Sequence, residues 1–163
     1  MRLDTSKEFV EDLLRSHQDE IVRSLMHGVF ELRDASSEAL LREMAAACRR
    51  RFLRMVDFPA DLDLDGLLER MRRAGPGRVE ISRSRDEIIW REFREGQCMC
   101  PLVRRHVAEL QPKLCACSRE WTRSLVETFY GGPVEAELVE SVATGSRDCV
   151  FRLTLGTATS QAS

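Results

Sequence analysis

Four of the six cysteines fall within 20 residues as two Cys-x-Cys pairs, Cys98-Met99-Cys100 and Cys115-Ala116-Cys117; Cys48 and Cys149 stand apart. Thiolate is the form of cysteine that binds metal or attacks carbon. Two cysteines one residue apart share a face in a strand and diverge by about 200° in a helix, so the local backbone decides whether a pair converges. Both pairs precede predicted helix starts, at Pro101 and Ser118. The dipole and free N–H groups of a helix N-terminus lower a nearby thiol pKa, so the spacing predicts up to four activated thiolates. Three readings are open: a thiolate metal site, a nucleophilic or redox site without metal, and buried packing residues. Zinc takes four N/S ligands, usually with Cys-x2–4-Cys spacing, so Cys-x-Cys departs from the common pattern. Packing suits Cys48, on an apolar helix face, and Cys149, on an inward strand face.

The other candidates are weaker. His106 lies between the two pairs, where it could act as a ligand or proton acceptor, although an exposed helical histidine is the simpler expectation. His17 lies on the stripe of the first helix, and His27 precedes Gly28, where a kink or close helix contact is expected. Glu135 and Glu137 share a strand face, with Glu140 beyond, and Glu92 and Glu95 precede the first cysteine pair. A solvated face is the expectation for the strand glutamates. The arginines at 49–51, 54, 70, 72 and 73 form a basic patch that could meet an anion, but acidic residues interleave with it. With 25 Lys+Arg against 27 Asp+Glu, the net charge of −2 argues against a general nucleic-acid binder. No phosphate-binding glycine loop, HExxH or GxSxG motif occurs.

The elements that must position these groups come in two sets. Residues 5–33 predict a long amphipathic helix opened by a Thr5-x-x-Glu8 capping box, its stripe made by Phe9, Leu13, Ile21, Leu25 and Val29 with Val10, Leu14, Val22 and Met26 beside them. After Asp34-Ala35-Ser36-Ser37 a second helix is predicted over 37–55, with Leu40, Leu41, Met44, Ala47, Cys48, Phe52 and Met55 inward. A short third helix opens at Asp61 to Asp65, carries Leu64, Leu67, Leu68 and Met71, and stops at Gly75-Pro76-Gly77. The pattern then changes to strands around Val79 and Ile81 and over 88–93, helices over 101–109 and 119–130, and a closing hairpin of strands 134–143 and 148–155. Cys149, Phe151, Leu153 and Leu155 should share one face of the last strand. This order predicts an α+β domain over 1–156, an N-terminal helical layer on a small antiparallel sheet ending in a C-terminal hairpin, with a flexible tail at 157–163. At 163 residues the chain is long enough to bury a core unaided. No apolar run suits a membrane span and no export signal opens the chain, so a cytoplasmic protein with reduced cysteines is expected.

From Gly96 onward, Gly-x-Cys-x-Cys-Pro-Leu-Val, then Cys-x-Cys-Ser-x-x-Trp, then Gly-Gly-Pro-Val-Glu-Ala-Glu-Leu-Val-Glu-Ser-Val and the Cys-Val-Phe-Arg-Leu strand resemble the L-2-amino-thiazoline-4-carboxylic acid hydrolase-like family. Val134 to Leu153 also resembles the end of the 4-vinyl-reductase small-molecule-binding domain. The resemblance covers about residues 94–155 and implies a helical layer over an antiparallel sheet, often dimeric. By motif position it carries over Cys98, Cys100, Cys115, Cys117 and Cys149, the candidate metal ligands, with zinc as the implied metal. The leading expectation is a small-molecule hydrolase acting on a thiazoline-like or thio-compound, with Cys115 or Cys117 as nucleophile. The alternative is a sensor module holding zinc, another thiophilic metal or an apolar ligand. The expected partners are a small molecule and a second copy of the chain, with no membrane or nucleic acid.

Overall fold

The computed structural model describes residues 7–32, 35–59, 61–74 and 78–157. Thr5 of the expected capping box, Asp34, the Gly75-Pro76-Gly77 stop and the end of the tail lie outside them. The fold is α+β. Three helices, α1 (Lys7–Glu31), α2 (Ala35–Met55) and α3 (Leu64–Ala74), lead into the hairpin β1 (Val79–Arg83) and β2 (Glu87–Glu92). One helical turn, α4 (Pro101–Arg104), and a long helix, α5 (Cys115–Tyr130), follow, and the hairpin β3 (Val134–Glu140) and β4 (Cys149–Leu155) ends the domain.

The four strands form one antiparallel sheet in the order β1-β2-β4-β3. Alternation divides its faces. The registers Ile81↔Trp90, Trp90↔Phe151 and Leu138↔Phe151 put one apolar row across the inner face, and Ile88, Leu153 and Ala136 form the next. Trp90, Ile88, Phe151 and Leu153 are fully buried there against α3 and α5. The outer face carries ion pairs instead: Arg152 bridges Glu87 at 3.5 Å and Glu137 at 2.9 Å. Cys149, Phe151, Leu153 and Leu155 do share the inner face, as the alternation required.

Helix α3 follows from its sequence. Leu64, Leu67, Leu68 and Met71 recur at i, i+3, i+4 and i+7 and are all buried, and the Asp63 carboxylate accepts the Gly66 N–H at 2.8 Å as an N-cap. The Arg72 guanidinium donates to the Ile81 carbonyl at 2.9 and 3.1 Å, fixing α3 to β1. Part of the expected basic patch is therefore structural. Helix α2 packs along α5 through Phe52, whose ring lies edge-on to Trp121 at 5.3 Å, and through an Arg49–Thr128 hydrogen bond of 2.6 Å. Gly131 ends α5 in the left-handed conformation, φ 74°, which glycine adopts without steric cost.

Two helix boundaries differ from the sequence expectation. The helix expected over 101–109 stops after one turn, because His106 takes a left-handed φ of 57° and turns the chain so that Val107 is buried to 2 % exposure. Burying a valine stabilises by about 1.5–3 kcal/mol, which offsets the roughly 1–3 kcal/mol such a backbone costs. Helix α5 starts at Cys115 rather than after Ser118. Pro112 to Leu114 form a 3-10 turn that feeds the helical ladder, so no separate cap is needed at Ser118.

A second apolar cluster lies between α1, α2 and the segment 100–117, built on Met26, Leu41 and Leu114. From α1, Val22, Met26, Val29 and Phe30 take part. Asp19 pairs with Arg105 at 2.6 Å, and the Lys113 ammonium donates to the Phe30 carbonyl at 3.0 Å and to that of Leu32, capping the helix C-terminus from afar.

Candidate functional site

The start of α5 decides the fate of the cysteines. Cys115 and Cys117 both sit in its first turn, so their side chains diverge as helical geometry demands. Cys115 points to the sheet. Its sulfur lies 3.1 Å from Ser141 Oγ and 4.0 Å from the Gln111 carbonyl, while Ser141 Oγ accepts the Ala143 N–H at 3.0 Å. This buried network ties α5 to the β3–β4 connection and satisfies its polar atoms. Cys117 packs instead into the cluster of α1 and α2. Burial there, reinforced by Cys48 and Cys100 nearby, pushes its thiol up to about 12.

Cys98, Cys100, Cys115 and Cys149 line one cavity of about 50 Å³, with Glu92, Arg94 and Ser141. That volume holds one or two waters. Four of the five predicted ligands therefore reach a common space, and Cys117 does not. Cys98 accepts the Cys100 N–H at 3.4 Å across the bend that leads into α4. Burial raises the thiol pKa of Cys98 and of Cys149. The expected lowering by helix termini is outweighed by desolvation at these two and at Cys117. Cys48, expected to pack inward, is exposed.

The cavity rests on a polar strut that joins Glu92, one of the sequence candidates, to Arg94, which the sequence reading did not single out. Arg94 donates to Glu92 through Nε at 3.1 Å and through Nη2, with side-chain exposures of 8 % and 13 %. Beside it, Asp148 accepts the backbone N–H groups of Arg94 at 2.9 Å and Glu95 at 3.4 Å and pairs with Arg91 at 3.6 Å. The Arg94 hydrogen bond holds the Asp148 carboxyl below the usual carboxylate range, aided by the second N–H and the arginines. Glu95 (φ 51°) and Gly96 (φ 80°) then swing the chain from the sheet to Cys98. The signal was present as a Glu-x-Arg alternation running off β2.

The remaining candidates lie elsewhere. His106 and His27 border a separate cleft of about 850 Å³ between α1 and residues 103–111, floored by Met26, Phe30 and Val107. His17 is exposed. Gly28 makes no close helix contact, since a Cβ there would meet nothing within 4 Å. Glu135, Glu137 and Glu140 are exposed on β3.

The larger surprise is α1. The stripe expected to face the core is split into two faces. Met26 is buried, with Val22, Val29 and Phe30 half-buried. Leu14, Ile21, Leu25 and, just past the helix, Leu32 stand 56, 48, 64 and 37 % exposed. The Leu32 N–H still bonds the Gly28 carbonyl at 3.3 Å, so Leu32 continues the helical row. The signal in the sequence was an apolar arc too wide for one buried face.

No protein-family profile matches the chain, and no curated protein is similar to it. Among solved structures, the fold is similar to subunit 3 of the trafficking protein particle complex from Naegleria fowleri, solved covalently bound to palmitic acid. The TM-score is 0.53 at 14 % identity, covering 88 % of this chain and 98 % of that one. These findings correct the functional expectations. The structural neighbour is a trafficking-complex subunit and not a hydrolase, and neither the hydrolase-like family nor the 4-vinyl-reductase domain is supported. Among the described residues no group of three or more His, Cys, Asp or Glu is arranged to hold a metal ion, so the zinc-sensor expectation falls as well. Cys117 points away on α5, and although Cys98, Cys100, Cys115 and Cys149 line one cavity, no three of them are placed to share an ion. Among the described residues no helix is long and apolar enough to cross a membrane. What the chain shares with its neighbour is a fold.

Proposed function

We propose that this chain is an assembly module, a subunit whose work is to bind another protein chain through α1. The observation that carries the reading is the exposed apolar row Leu14, Ile21, Leu25 and Leu32 on a helix that already has a buried face of its own. Single exposed apolar residues are ordinary, but four in line along one helix expose roughly 400 Å² of apolar surface, the scale of the largest and often functional patch on a monomer. A fold shared with a subunit of a multi-protein complex supports the same reading. The cysteine cavity, at about 50 Å³, serves as internal structure and is far too small to house a lipid chain. Six free cysteines suit a reducing, cytoplasmic setting for this subunit.

The test is the native mass of the chain in extract of the cells that make it. The chain should migrate well above its own 18.7 kDa, and an Ile21→Glu variant should fall to that mass. A native chain that migrates at 18.7 kDa overturns the reading.

A further inference from the structure

The exposed row on α1 reads the same in both directions. Leu14, Ile21, Leu25 and Leu32 are spaced seven, four and seven residues apart, so reversal about position 23 maps Leu14 onto Leu32 and Ile21 onto Leu25. We propose that the partner of this face is a second copy of the same chain, its α1 lying antiparallel across a two-fold axis near residue 23. The inference rests on the assembly reading above and names the occupant.

A two-fold interface must be self-complementary, each residue meeting its mirror position twice. An apolar row that is its own reverse is the simplest sequence that meets this demand. Leu14 of one copy packs on Leu32 of the other at both ends, and Ile21 packs on Leu25 twice at the centre. Gln18 and Gly28 exchange under the same reversal. Gly28 leaves a hole in its helix surface, open for at least 4 Å where a Cβ would stand, and Gln18 of the other copy inserts there as a knob.

The flank turned away from the body is also complementary. His17, Ser24 and Glu31 lie along it at heptad spacing, and same-flank positions of antiparallel helices meet two residues off the seam register, so His17 of one copy lies beside Glu31 of the other at each end. Antiparallel helices oppose their dipoles favourably. Met26 and Phe30, which join α1 to the body, lie more than a quarter-turn round the helix from the row, so the two bodies stay apart. The row spans about 27 Å of helix. Two copies bury roughly 800 Å² from these four side chains alone, and the flanking residues carry the total into the roughly 1,200–2,000 Å² of stable complexes.

The experiment is light scattering behind size exclusion on the purified full chain from about 1 to 100 μM, a range set to bracket typical non-obligate affinities. The native chain should be a dimer at the upper end. Ile21→Glu alone and Leu25→Lys alone should each weaken dimerisation at least roughly a hundredfold, as expected for central interface positions. Both sites are exposed in the single chain, so far-ultraviolet circular dichroism should be unchanged. The double variant Ile21→Glu/Leu25→Lys should recover the dimer, because in antiparallel register the introduced acid of each copy faces the introduced base of the other. In parallel register like charges would meet, and the double variant would stay monomeric. Failure of the double variant to recover, or single variants that remain dimeric, overturns the proposal. A purified native chain that is monomeric at 100 μM also overturns it, while a large native mass in extract would still uphold the assembly reading with a different chain as partner.

Discussion

The strut of Glu92 and Arg94 offers a sharp test of what holds the cysteine cavity in place. Both side chains are nearly excluded from water, at 13 % and 8 % exposure. Taking either charge from water is costly, and the pair offsets that cost only while both members are present. Arg94→Met leaves the Glu92 carboxylate buried without its partner. The expected loss is about 3 kcal/mol, or about 6–12 °C in melting temperature for a domain of this size. Glu92→Leu removes the acceptor and leaves the arginine buried and uncompensated, with an expected loss of about 3 kcal/mol. The double variant Glu92→Leu/Arg94→Met removes both charges and both desolvation costs, and should lie within about 1–2 kcal/mol of the native chain. Urea unfolding at pH 7 of the four proteins closes a double-mutant cycle, and the coupling should be at least about 2 kcal/mol. Single variants that each lose less than about 1 kcal/mol, or additive losses in the double, would refute the view of the pair as a buried strut.

Two further expectations concern protons and thiols. The Asp148 and Glu120 carboxyls are held below their ordinary pKa values, Asp148 by the Arg94 N–H and Glu120 by the Arg123 hydrogen bond. A carboxylate with a depressed folded-state pKa stabilises fully above its unfolded value, near 4, and that stability is lost as pH falls through the folded value. Urea midpoints should therefore hold from pH 7 to about 5 and decline below about 4, less steeply in Asp148→Asn; an equal decline in the variant would argue against this linkage. Alkylation with iodoacetamide at pH 8, followed by peptide mass spectrometry, should modify exposed Cys48 first and Cys117 last, since burial pushes the Cys117 thiol up to about 12. Labelling of Cys117 at the rate of Cys48 would contradict its placement in the α1–α2 cluster.

The elements were largely legible because their signals are local. The Leu64–Met71 periodicity marks α3, and the alternation Cys149-Phe151-Leu153-Leu155 marks the inner face of β4. The outcome at the cysteines hinged on one boundary. With α5 beginning after Ser118, Cys115 and Cys117 would lie in extended chain and share a face; with α5 beginning at Cys115, they point apart. Pro112 initiates that turn, yet a proline followed by two cysteines reads equally as a loop. The split of α1 into a buried and an exposed face was hidden for a different reason. Hydrophobic periodicity reports that a face avoids water, not whether the same chain or another supplies the cover. Ile21 and Leu25 were read with Met26 as one stripe because nothing in the residues themselves separates an inward leucine from an outward one. The pairing of Glu92 with Arg94 was not legible because their burial depends on the loop 95–100 folding back over the sheet.

Strand β3 has a consequence for how such a molecule can grow. It stands at the end of the sheet, with β4 as its neighbouring strand and a register shift between Leu138 and Glu140. A bare strand border is a template on which foreign chains can polymerise without limit. Here the kinked backbone spoils the straight run of N–H and C=O groups that a visiting strand needs, and Glu135, Glu137 and Glu140 repel any copy of themselves brought alongside. The carboxylates that look like reagents in the sequence thus act as fenders along this edge of the sheet.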